Sequence, residues 1–217
     1  MTAAAKPGGR RTRGPGRPPA AAPRDTRRAL LDAALDLFSE RGFAATSVRD
    51  LASAVGLRES TLYHHFPGGK EQLLDALVED LFAEKMRTLQ AVDVGAVERI
   101  GLVPLLMQVT RLGVALWTSP REEKIFRLLL GEAQKVRGEP LSVPAELDRL
   151  RQGLQEMFAE LISRGRLREV DPGWLALVFL GPLAVLRIQY VLGRVPPAKL
   201  IRLAEAHTRT FCSVFSP

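Results

Sequence analysis

The sequence predicts an all-α fold of about nine helices, arranged as a small N-terminal unit followed by a larger C-terminal body. Beyond about residue 25, apolar residues recur three or four positions apart, which places them on one face of a helix, and they never alternate as in a strand. Prolines stand near the beginnings of several of these segments, where a missing amide hydrogen costs little. With 217 residues, of which 46% are hydrophobic and 25% charged, the chain is long enough for a small domain joined to a larger one.

The first 23 residues, "MTAAAKPGGRRTRGPGRPPAAAP", are rich in Gly, Pro, Ala and Arg and lack apolar periodicity. Such a segment buries too little apolar surface to offset the entropy of ordering it, so we expect residues 1–23 to form a disordered basic tail. The net charge of the chain is +7, and the first 24 residues contribute +6 of it, without a single acidic residue. The cations are Lys6, Arg10, Arg11, Arg13, Arg17 and Arg24. We expect this tail to attract nucleic-acid phosphates without sequence preference.

The N-terminal unit begins with two amphipathic helices. The first is predicted over residues 25–41, because the apolar positions 31, 34, 35 and 38 share one face and a glycine follows. The second covers the apolar positions 48, 51, 52 and 55, with Thr46 or Ser47 as its N-cap residue. Asp50 lies three positions after Ser47 and completes a pattern similar to a capping box. Gly56 then supplies the left-handed turn that ends the helix.

A third helix of barely two turns is predicted over residues 58–65, and Pro67 ends it. The three helices occupy about 40 residues, and the short connection between the last two is typical of a helix-turn-helix. We therefore expect a small three-helix domain at residues 24–69.

The C-terminal body, residues 70–217, is predicted to begin with a long fourth helix over residues 70–88. Five more helices are predicted at residues 97–117, 120–136, 144–164, 172–192 and 197–215. Pro104 and Pro182 fall inside two of these helices, and we expect a kink at each. The most lipid-like stretch, residues 174–186, is shorter than the roughly 20 apolar residues that a membrane span needs. It is therefore predicted to be a buried helix.

No pattern typical of catalysis or metal binding is found in the sequence. His64 and His65 are adjacent and point about 100° apart around a helix, so they cannot both face one ion. The Gly-Lys pair at 69–70 lacks the glycine and the Ser or Thr of a phosphate loop. The single cysteine lies five residues after His207 on one predicted helix, and no Gly-x-Ser-x-Gly motif is present. We therefore expect no enzyme activity, no metal and no cofactor. A single cysteine cannot form a disulfide within the chain, and the sequence does not begin with a pattern typical of a leader peptide, so we predict a cytoplasmic protein.

The third predicted helix carries side chains that suit contact with nucleic acid. Leu57, Leu62 and Phe66 fall on the face that would pack inside the three-helix unit. The outward positions hold residues that form hydrogen bonds with base edges and phosphate oxygens, namely Arg58, Glu59, Ser60, Thr61, Tyr63 and His64. Gly69 and Lys70 open the next helix, where amide hydrogens and an ammonium group can hold a phosphate.

The segment 46–74, "TSVRDLASAVGLRESTLYHHFPGGKEQLL", resembles the helix-turn-helix signature of the TetR family of transcriptional repressors, and the close match extends over about residues 26–75. The resemblance implies a homodimer in which each subunit offers its third helix to a major groove of double-stranded DNA. It also implies which residues contact DNA: Thr46, Ser47, Tyr63 and Lys70 at phosphates, and Arg49, Arg58, Ser60, Thr61 and His64 near bases. The sequence departs from the family pattern at Arg58, where a capping serine is common, and at Glu59, where a cation is common. The loop before Lys70 is one residue longer than usual.

The same resemblance implies an effector-binding cavity among helices four to eight. The residues expected to line it are Leu105, Val109, Trp117, Phe126, Leu130, Phe158, Ile162 and Phe179. Since few charges would converge there, we expect a small uncharged or aromatic hydrophobic effector. Its binding would shift the fourth helix, which is continuous with the DNA-binding unit, and so change the separation of the two recognition helices.

The last two helices are predicted to form the dimer interface, because residues 174–193, "WLALVFLGPLAVLRIQYVLG", are apolar on too many sides for the surface of a single chain. By analogy with the family, a four-helix bundle would be formed by Leu175, Val178, Phe179, Leu186, Tyr190, Leu203, His207, Thr210 and Phe211. Cys212 lies near this surface, and we expect it to be buried and inert.

These observations predict a transcriptional repressor that binds palindromic operator DNA as a homodimer and is released by a small hydrophobic effector. Two alternatives stay open. One is a helical small-molecule-binding module without sequence-specific DNA binding, which the carboxylate of Glu59 favours; the other is an activator of the same architecture. Residues 25–66 contain five Arg against six acidic residues, so we expect the basic tail to supply much of the nonspecific attraction to DNA.

Overall fold

The structure, a computed structural model, describes residues 23–132 and 143–217, and in these ranges it contains ten α-helices, one 3-10 turn and no strand. The helices are α1 (Pro23–Arg41), α2 (Val48–Ala54), α3 (Glu59–His65), α4 (Gly69–Gln90), α5 (Val97–Ile100), α6 (Leu102–Trp117), α7 (Pro120–Glu132), α8 (Val143–Ser163), α9 (Pro172–Val191) and α10 (Pro197–Phe215), with the 3-10 turn at Val94–Ala96. The predicted all-α fold is confirmed. The predicted tail lies outside the described residues, apart from Pro23, and so does the end of the helix predicted over 120–136.

The start of α2 has the capping box that the sequence predicts. Ser47 is the N-cap residue, and its hydroxyl oxygen accepts a hydrogen bond from the backbone nitrogen of Asp50 at 3.1 Å. The carboxylate of Asp50 accepts from the backbone nitrogen of Ser47 at 3.0 Å. Gly56, which follows α2, has a φ of +66°, the left-handed conformation expected there. The N-cap residue of α3 is Arg58, which makes no side-chain cap hydrogen bond.

The prediction of one continuous helix over residues 97–117 is wrong, because Gly101 divides this segment into α5 and α6. Gly101 has a φ of +83°, which a right-handed helix cannot contain. Pro104 is consequently the third residue of α6, where the backbone nitrogen has no acceptor within the helix. Pro104 therefore lies at the start of a helix, and the prediction of a kink within a longer helix is wrong here. Pro182 does lie inside α9.

One hydrophobic core holds the N-terminal unit together. Apolar side chains of α1, α2 and α3 pack in it with the first half of α4, from Leu73 to Phe82, and with Ile125, Leu128 and Leu129 of α7. Since α4 and α7 also belong to the C-terminal body, they connect the two parts of the molecule. The domain boundary predicted at residue 70 falls at the start of this shared helix, and it stays a prediction.

A second core lies among α6, α8, α9 and α10. Its centre is a group of three aromatic rings: the centroid of Phe179 lies 5.6 Å from that of Phe158 and 5.0 Å from that of Phe211. The Cys212 side chain is buried in the same core.

By length and composition alone, α9 is apolar enough to cross a membrane, and 39% of its most apolar window is buried within the structure. The α6 helix passes the same test only together with α7, as a pair bent by 74°. One face of α9, with Leu175, Phe179 and Leu183, lies in the C-terminal core, and Arg187 forms an ion pair with Glu122 of α7. These contacts place one face of α9 in the core, so the prediction of a buried helix holds for that face only.

Candidate nucleic-acid interface

The α3 helix presents a polar face to solvent because its apolar residues hold it against the rest of the unit. Leu62 and Phe66 are at most 1% exposed and belong to the N-terminal core. Helical geometry then turns the residues between them outward. Ser60 and His64 are exposed, Tyr63 is 47% exposed, and Thr61 is half-buried.

The start of α2 lies in the same helix-turn-helix and adds further polar groups. Ser47 and Arg49 are exposed there, as is Arg58 at the start of α3. Of the nine residues predicted to contact DNA, six are therefore exposed: Ser47, Arg49, Arg58, Ser60, Tyr63 and His64. Their side chains are hydroxyls, cations and an imidazole, which are the groups that bind phosphate oxygens and base edges.

Thr46 does not belong to this exposed set. Its side chain is only 1% exposed, and its hydroxyl donates a hydrogen bond to the carbonyl oxygen of Gly42 at 2.9 Å. The hydroxyl therefore closes the loop between α1 and α2. The prediction that Thr46 holds a phosphate is corrected accordingly, and we leave its side chain out of the proposed contacts.

Lys70 also has structural partners. From the first turn of α4, its Nζ donates hydrogen bonds to the carbonyl oxygens of Phe43 at 3.0 Å and Thr46 at 3.1 Å. The same Nζ lies 4.6 Å from the centroid of the Phe43 ring, a distance typical of a cation–π contact. Lys70 thus fastens the loop between α1 and α2 to α4, which sets the position of the N-terminus of α2.

Tyr63 is held in place by a close approach of the backbone at Gly69. Gly69 has a φ of +68°, and a Cβ atom there would lie 3.5 Å from the Tyr63 ring and 3.7 Å from the side chain of Val48. The turn before α4 therefore passes directly beside the Tyr63 ring. A tyrosine packed in this way keeps its hydroxyl at a defined place on the surface, although nearly half of its side chain is exposed.

The acidic residues on this surface limit its positive charge. Glu59 is exposed in the first turn of α3, and Asp50 is half-buried in the first turn of α2. Hydrogen bonds from the Ser47 side chain and backbone lower the pKa of Asp50 below 3.8, so Asp50 carries its charge at neutral pH. Within residues 23–132 and 143–217, no group of three or more His, Cys, Asp or Glu residues could hold a metal ion.

The C-terminal body contains an apolar cleft between α4, α6, α8 and α9, with an empty volume of about 610 Å³ that includes its open mouth. Three of the predicted effector-pocket residues, Val109, Trp117 and Phe179, line it. Phe126 lines a smaller cavity of about 270 Å³ that shares Trp117 with the cleft. The cleft is the larger of these two cavities.

The other four predicted pocket residues do not line this cleft, which corrects the prediction for them. Leu105 and Phe158 are at most 1% exposed and fill the C-terminal core, where the Phe158 ring stacks on Phe211 at 5.5 Å. Ile162 packs against the same core, and Leu130 is half-buried on α7. Apolar character alone could not separate core from cavity wall, because both require the same side chains.

Three charged residues are buried beside the cleft, contrary to the expectation that few charges converge there. Lys85 of α4, Glu122 of α7 and Arg187 of α9 are at most 4% exposed. One carboxylate oxygen of Glu122, Oε1, contacts both Lys85 Nζ and Arg187 Nη2, and the Arg187 guanidinium carbon lies 3.6 Å from the centroid of the Phe126 ring. A signal was available in the sequence, since Arg187 is the one charge within the apolar run of α9.

The predicted dimer residues divide into inner and outer sets. Leu175, Phe179 and Phe211 are at most 3% exposed and belong to the core of the single chain, so the prediction that they meet a partner is corrected. Two others are half-buried and hydrogen-bonded within the chain: His207 Nε2 lies 2.9 Å from the carbonyl oxygen of Phe179, and Tyr190 donates to Glu123 at 2.9 Å. Leu203 and Thr210 are exposed, and Val178 and Leu186 are half-buried.

The sequence prediction missed the most exposed apolar residues of α9. Trp174 is 49%, Leu177 is 56% and Val185 is 53% exposed. With Gly181, where an added Cβ would meet no atom within 4 Å, they form a stripe at helical spacing. Because α9 is apolar on nearly every side, periodicity could not indicate which side faces outward.

Residues 30–77 match the family model described as "Bacterial regulatory proteins, tetR family". Over 59 residues the chain is 48% identical to the HTH-type transcriptional repressor KstR2 of Rhodococcus jostii strain RHA1, a match that covers 25% of this chain and 28% of that protein. The chain therefore matches less than a third of the length of this curated relative, in the part that contains the helix-turn-helix.

Solved structures extend the likeness to the fold of most of the chain. A TetR-family transcriptional regulator from Mesorhizobium loti aligns with a TM-score of 0.74 at 24% identity, over 89% of this chain and 98% of that one. SmeT, the repressor of the Stenotrophomonas maltophilia multidrug efflux pump SmeDEF, aligns with a TM-score of 0.71 at 20% identity, over 88% and 90% of the two chains. Residues 30–77 are thus similar to the helix-turn-helix domain of the TetR family of bacterial transcriptional regulators, and the chain shares the fold of these solved family members.

Proposed function

We propose that this protein is a transcriptional repressor that binds a palindromic operator as a homodimer and is released by a small, mainly apolar effector. The observation that carries the proposal is the exposed polar face of α3, which is held outward by the buried side chains of Leu62 and Phe66. As a DNA-binding regulator it would act in the cytoplasm.

In the proposed complex, α3 lies in the major groove of the operator. Ser60, Thr61 and His64 face the base edges, with Arg49 and Arg58 at either side. Ser47 and Tyr63 bind backbone phosphates, which position the helix without carrying sequence information. Thr46 and Lys70 act indirectly, by holding the loop that precedes α2.

The proposed dimer forms through the outer faces of α9 and α10. Two apolar stripes lie on adjacent helices: one runs along α9 and includes Leu177 and Val185, and the other runs along α10 and includes Leu203 and Val214. A two-fold axis through such a surface makes a four-helix bundle and buries both stripes. It also requires an inverted-repeat operator with half-sites about 34 to 36 Å apart.

The proposed effector site is the apolar cleft. SmeT, which shares the fold, has been solved in complex with triclosan at a TM-score of 0.70 to this chain, so a small molecule can bind within this architecture. The second half of α4 lines the cleft while its first half packs in the core of the DNA-binding unit. Ligand binding that moves α4 would therefore move α3, and coupling of about 1 to 3 kcal/mol would change operator affinity roughly 5- to 150-fold.

The proposal is tested by fluorescence anisotropy with duplex DNA from upstream of the protein's own gene and with unrelated DNA of equal length. We expect a specificity ratio of at least about 10³ at physiological salt. The double substitution Ser60→Ala with His64→Ala should lower this ratio, whereas Arg99→Ala, a control on the exposed surface of α5, should leave it unchanged. A ratio near one for the wild-type protein would instead support the alternative of a ligand-binding module, in which Glu59 repels DNA.

A further inference from the structure

A cavity lined mainly by charged side chains lies at the junction of three helices, α1, α4 and α7. Its lining includes Arg28 of α1, Asp80 and Glu84 of α4, and Arg121 of α7. Apolar side chains of the same three helices pack together in the N-terminal core. The cavity therefore lies where the N-terminal unit is attached to the C-terminal body.

The Arg121 guanidinium faces two carboxylates of α4 without a hydrogen bond to either. Its Nη2 atom is 3.7 Å from Asp80 Oδ2, and its Nη1 atom is 3.9 Å from Glu84 Oε2. Both distances are those of ion pairs, but they exceed the limit of roughly 3.2 Å for an N–H···O hydrogen bond. Among the residues that the structure describes, the buried Nε and Nη2 atoms of Arg121 have no hydrogen-bond partner. Buried donors usually find an acceptor, because leaving them without one is costly.

Asp80 and Glu84 are alternative acceptors for Arg121 because they lie one turn apart on the same face of α4. Either carboxylate would have to approach by about 1 Å to form a hydrogen bond of about 2.9 Å. Since the two carboxylates are near different ends of the guanidinium fork, a displacement of α4 along its axis that brings one nearer moves the other away. Two arrangements are therefore available, and each satisfies donors that are unsatisfied midway between them.

We propose that Arg121 forms a two-position contact between α7 and α4, in which it donates hydrogen bonds either to Asp80 or to Glu84. The two positions join different helices, because Asp80 also faces α1: Arg28 Nη1 lies 3.6 Å from the same oxygen, Oδ2. In the Asp80 position, one carboxylate connects α1, α4 and α7. In the Glu84 position, Arg121 connects α7 with α4 alone.

The effect of this contact on DNA binding rests on the repressor function proposed above. Side chains of α1 and α4 pack around α2 and α3 in one core, so a displacement of α4 against α7 also changes the placement of α3. The two positions of Arg121 thus present α3 differently, and one of them fits the operator better. Discrete alternative contacts of this kind are how packed helices convert a small shift into a switch.

The two-position contact is tested without DNA, by double-mutant cycles of urea denaturation on the full chain. Arg121→Met, Glu84→Gln and their combination give the coupling of Arg121 to Glu84, first in the wild-type background and then with Asp80→Asn. We expect stronger coupling in the second background, because the loss of Asp80 commits Arg121 to Glu84. Coupling to Asp80 should rise in the same way with Glu84→Gln. Equal couplings in both backgrounds would overturn the proposal.

Operator affinity, measured by fluorescence anisotropy, tests what the two positions do. Asp80→Asn and Glu84→Gln each remove one negative charge, and Glu156→Gln, at an exposed position on α8, is the control for that loss. Relative to the control, we expect one variant to bind the operator about fivefold or more tightly and the other about fivefold or more weakly. Changes in the same direction would overturn the proposal, as would no change in either variant. Circular dichroism identifies any variant that does not fold, and Arg121→Gln replaces Arg121→Met in the cycles if the latter fails.

The two measurements separate this inference from the proposed repressor function. A wild-type protein without operator specificity, in which the couplings still depend on the background, would retain the two-position contact and lose the repressor function. A protein that binds its operator specifically but shows equal couplings would retain the repressor function and lose the two-position contact.

Discussion

Lys70 shows how a single side chain acquires a role that its position in a motif does not reveal. The family resemblance implies a phosphate contact, whereas its Nζ binds the carbonyl oxygens of Phe43 and Thr46 across the loop between α1 and α2. Removing the ammonium would take one donor from each carbonyl, although the Phe43 oxygen still accepts from the backbone nitrogen of Thr46 at 3.3 Å. A hydrogen bond to a charged group typically contributes about 1.5 to 3 kcal/mol. The two roles make different predictions about the effect of salt on DNA binding.

We predict that Lys70→Met lowers the stability of the protein and its operator affinity without changing the slope of log affinity against log salt. Arg49→Ala is the comparison, because Arg49 is an exposed cation beside the proposed base-reading face, and each cation that neutralises a phosphate adds about 0.9 to that slope. Anisotropy titrations between 50 and about 200 mM salt provide the measurement. If Lys70→Met flattens the slope and leaves thermal stability intact, Lys70 binds phosphate directly.

Cys212 is a second residue whose chemistry follows from its surroundings. It is 1% exposed, and burial raises the pKa of its thiol from 9.0 to about 11. The thiolate is the reactive form, so we predict that a thiol reagent at pH 8 labels the native protein far more slowly than the protein in denaturant. Because the folded state holds the thiol proton more tightly than the unfolded state, Cys212 contributes fully to the free energy of unfolding below pH 9. This contribution is lost as the pH rises towards 11. Rapid labelling of native protein would contradict the burial.

At the scale of elements, the stability of α2 depends strongly on its capping box, because the helix is short. It has seven residues, fewer than an isolated helix needs for stability in water. Hydrogen bonds in both directions between Ser47 and Asp50 satisfy backbone groups at its N-terminus, and the buried side chains of Leu51 and Ala52 attach it to the core. The helix therefore depends on a cap and two contacts, and the cap lies beside the proposed phosphate contacts.

We predict that Ser47→Ala destabilises the protein by about 1 kcal/mol, measured by urea denaturation, because the N-cap hydrogen bond is lost. Ser53→Ala, at an exposed position in the same helix, is the matched control and should be neutral or slightly stabilising. The hydrogen bonds from Ser47 lower the pKa of Asp50, so the stability from that charge is present above pH 3.8 and is lost as pH falls below it. Ser47→Ala should weaken this acid dependence, and equal stability of the two variants would contradict the role of the cap.

At the scale of the whole molecule, the N-terminal core and the C-terminal body are connected through shared helices. α4 and α7 contribute side chains to the N-terminal core, and α4 also lines the cleft of the C-terminal body. A ligand in the cleft and DNA at α3, as proposed above, would therefore act on the same helix from opposite ends. The outer faces of α9 and α10 lie on the C-terminal core and would relate two such units by symmetry.

We predict that Leu177→Glu converts the protein into a monomer and lowers operator affinity, because it places a charge in the centre of the proposed α9 stripe. Val103→Glu is the control: Val103 is 41% exposed, comparable to the 56% of Leu177, but it lies in the first turn of α6. Light scattering coupled to size-exclusion chromatography measures the mass of each variant. A wild-type protein that is monomeric at micromolar concentration would refute the proposed interface.

We also predict that deletion of residues 1–22 flattens the salt dependence of DNA binding, since this removes five cations from a protein whose net charge is +7. Each phosphate that these cations neutralise should contribute about 0.9 to the slope. A full-length variant with the same five residues changed to glutamine is the matched control for chain length. A slope equal to that of the wild-type protein in both variants would assign the attraction to the folded part.

Helix positions, the capping box at Ser47, the left-handed glycine at 56 and the burial of Leu62 and Phe66 were all predictable from the sequence. Each depends on interactions between residues within a few positions of one another, so short windows of sequence contain the necessary information. Gly101 was the exception, because an isolated glycine in an apolar segment is compatible with both a continuous helix and a break.

Packing between distant segments was not predictable in the same way. The contact of Arg187 with Glu122 joins residues 65 positions apart, the Lys70 ammonium reaches back 27 positions to Phe43, and α9 turns Leu175 inward and Leu177 outward although both are leucines. Local periodicity specifies that a helix forms and that it is apolar, but not which neighbour each side will meet. That choice is made when the helices assemble, because the free energy of burying a face depends on the shape and charge of what covers it.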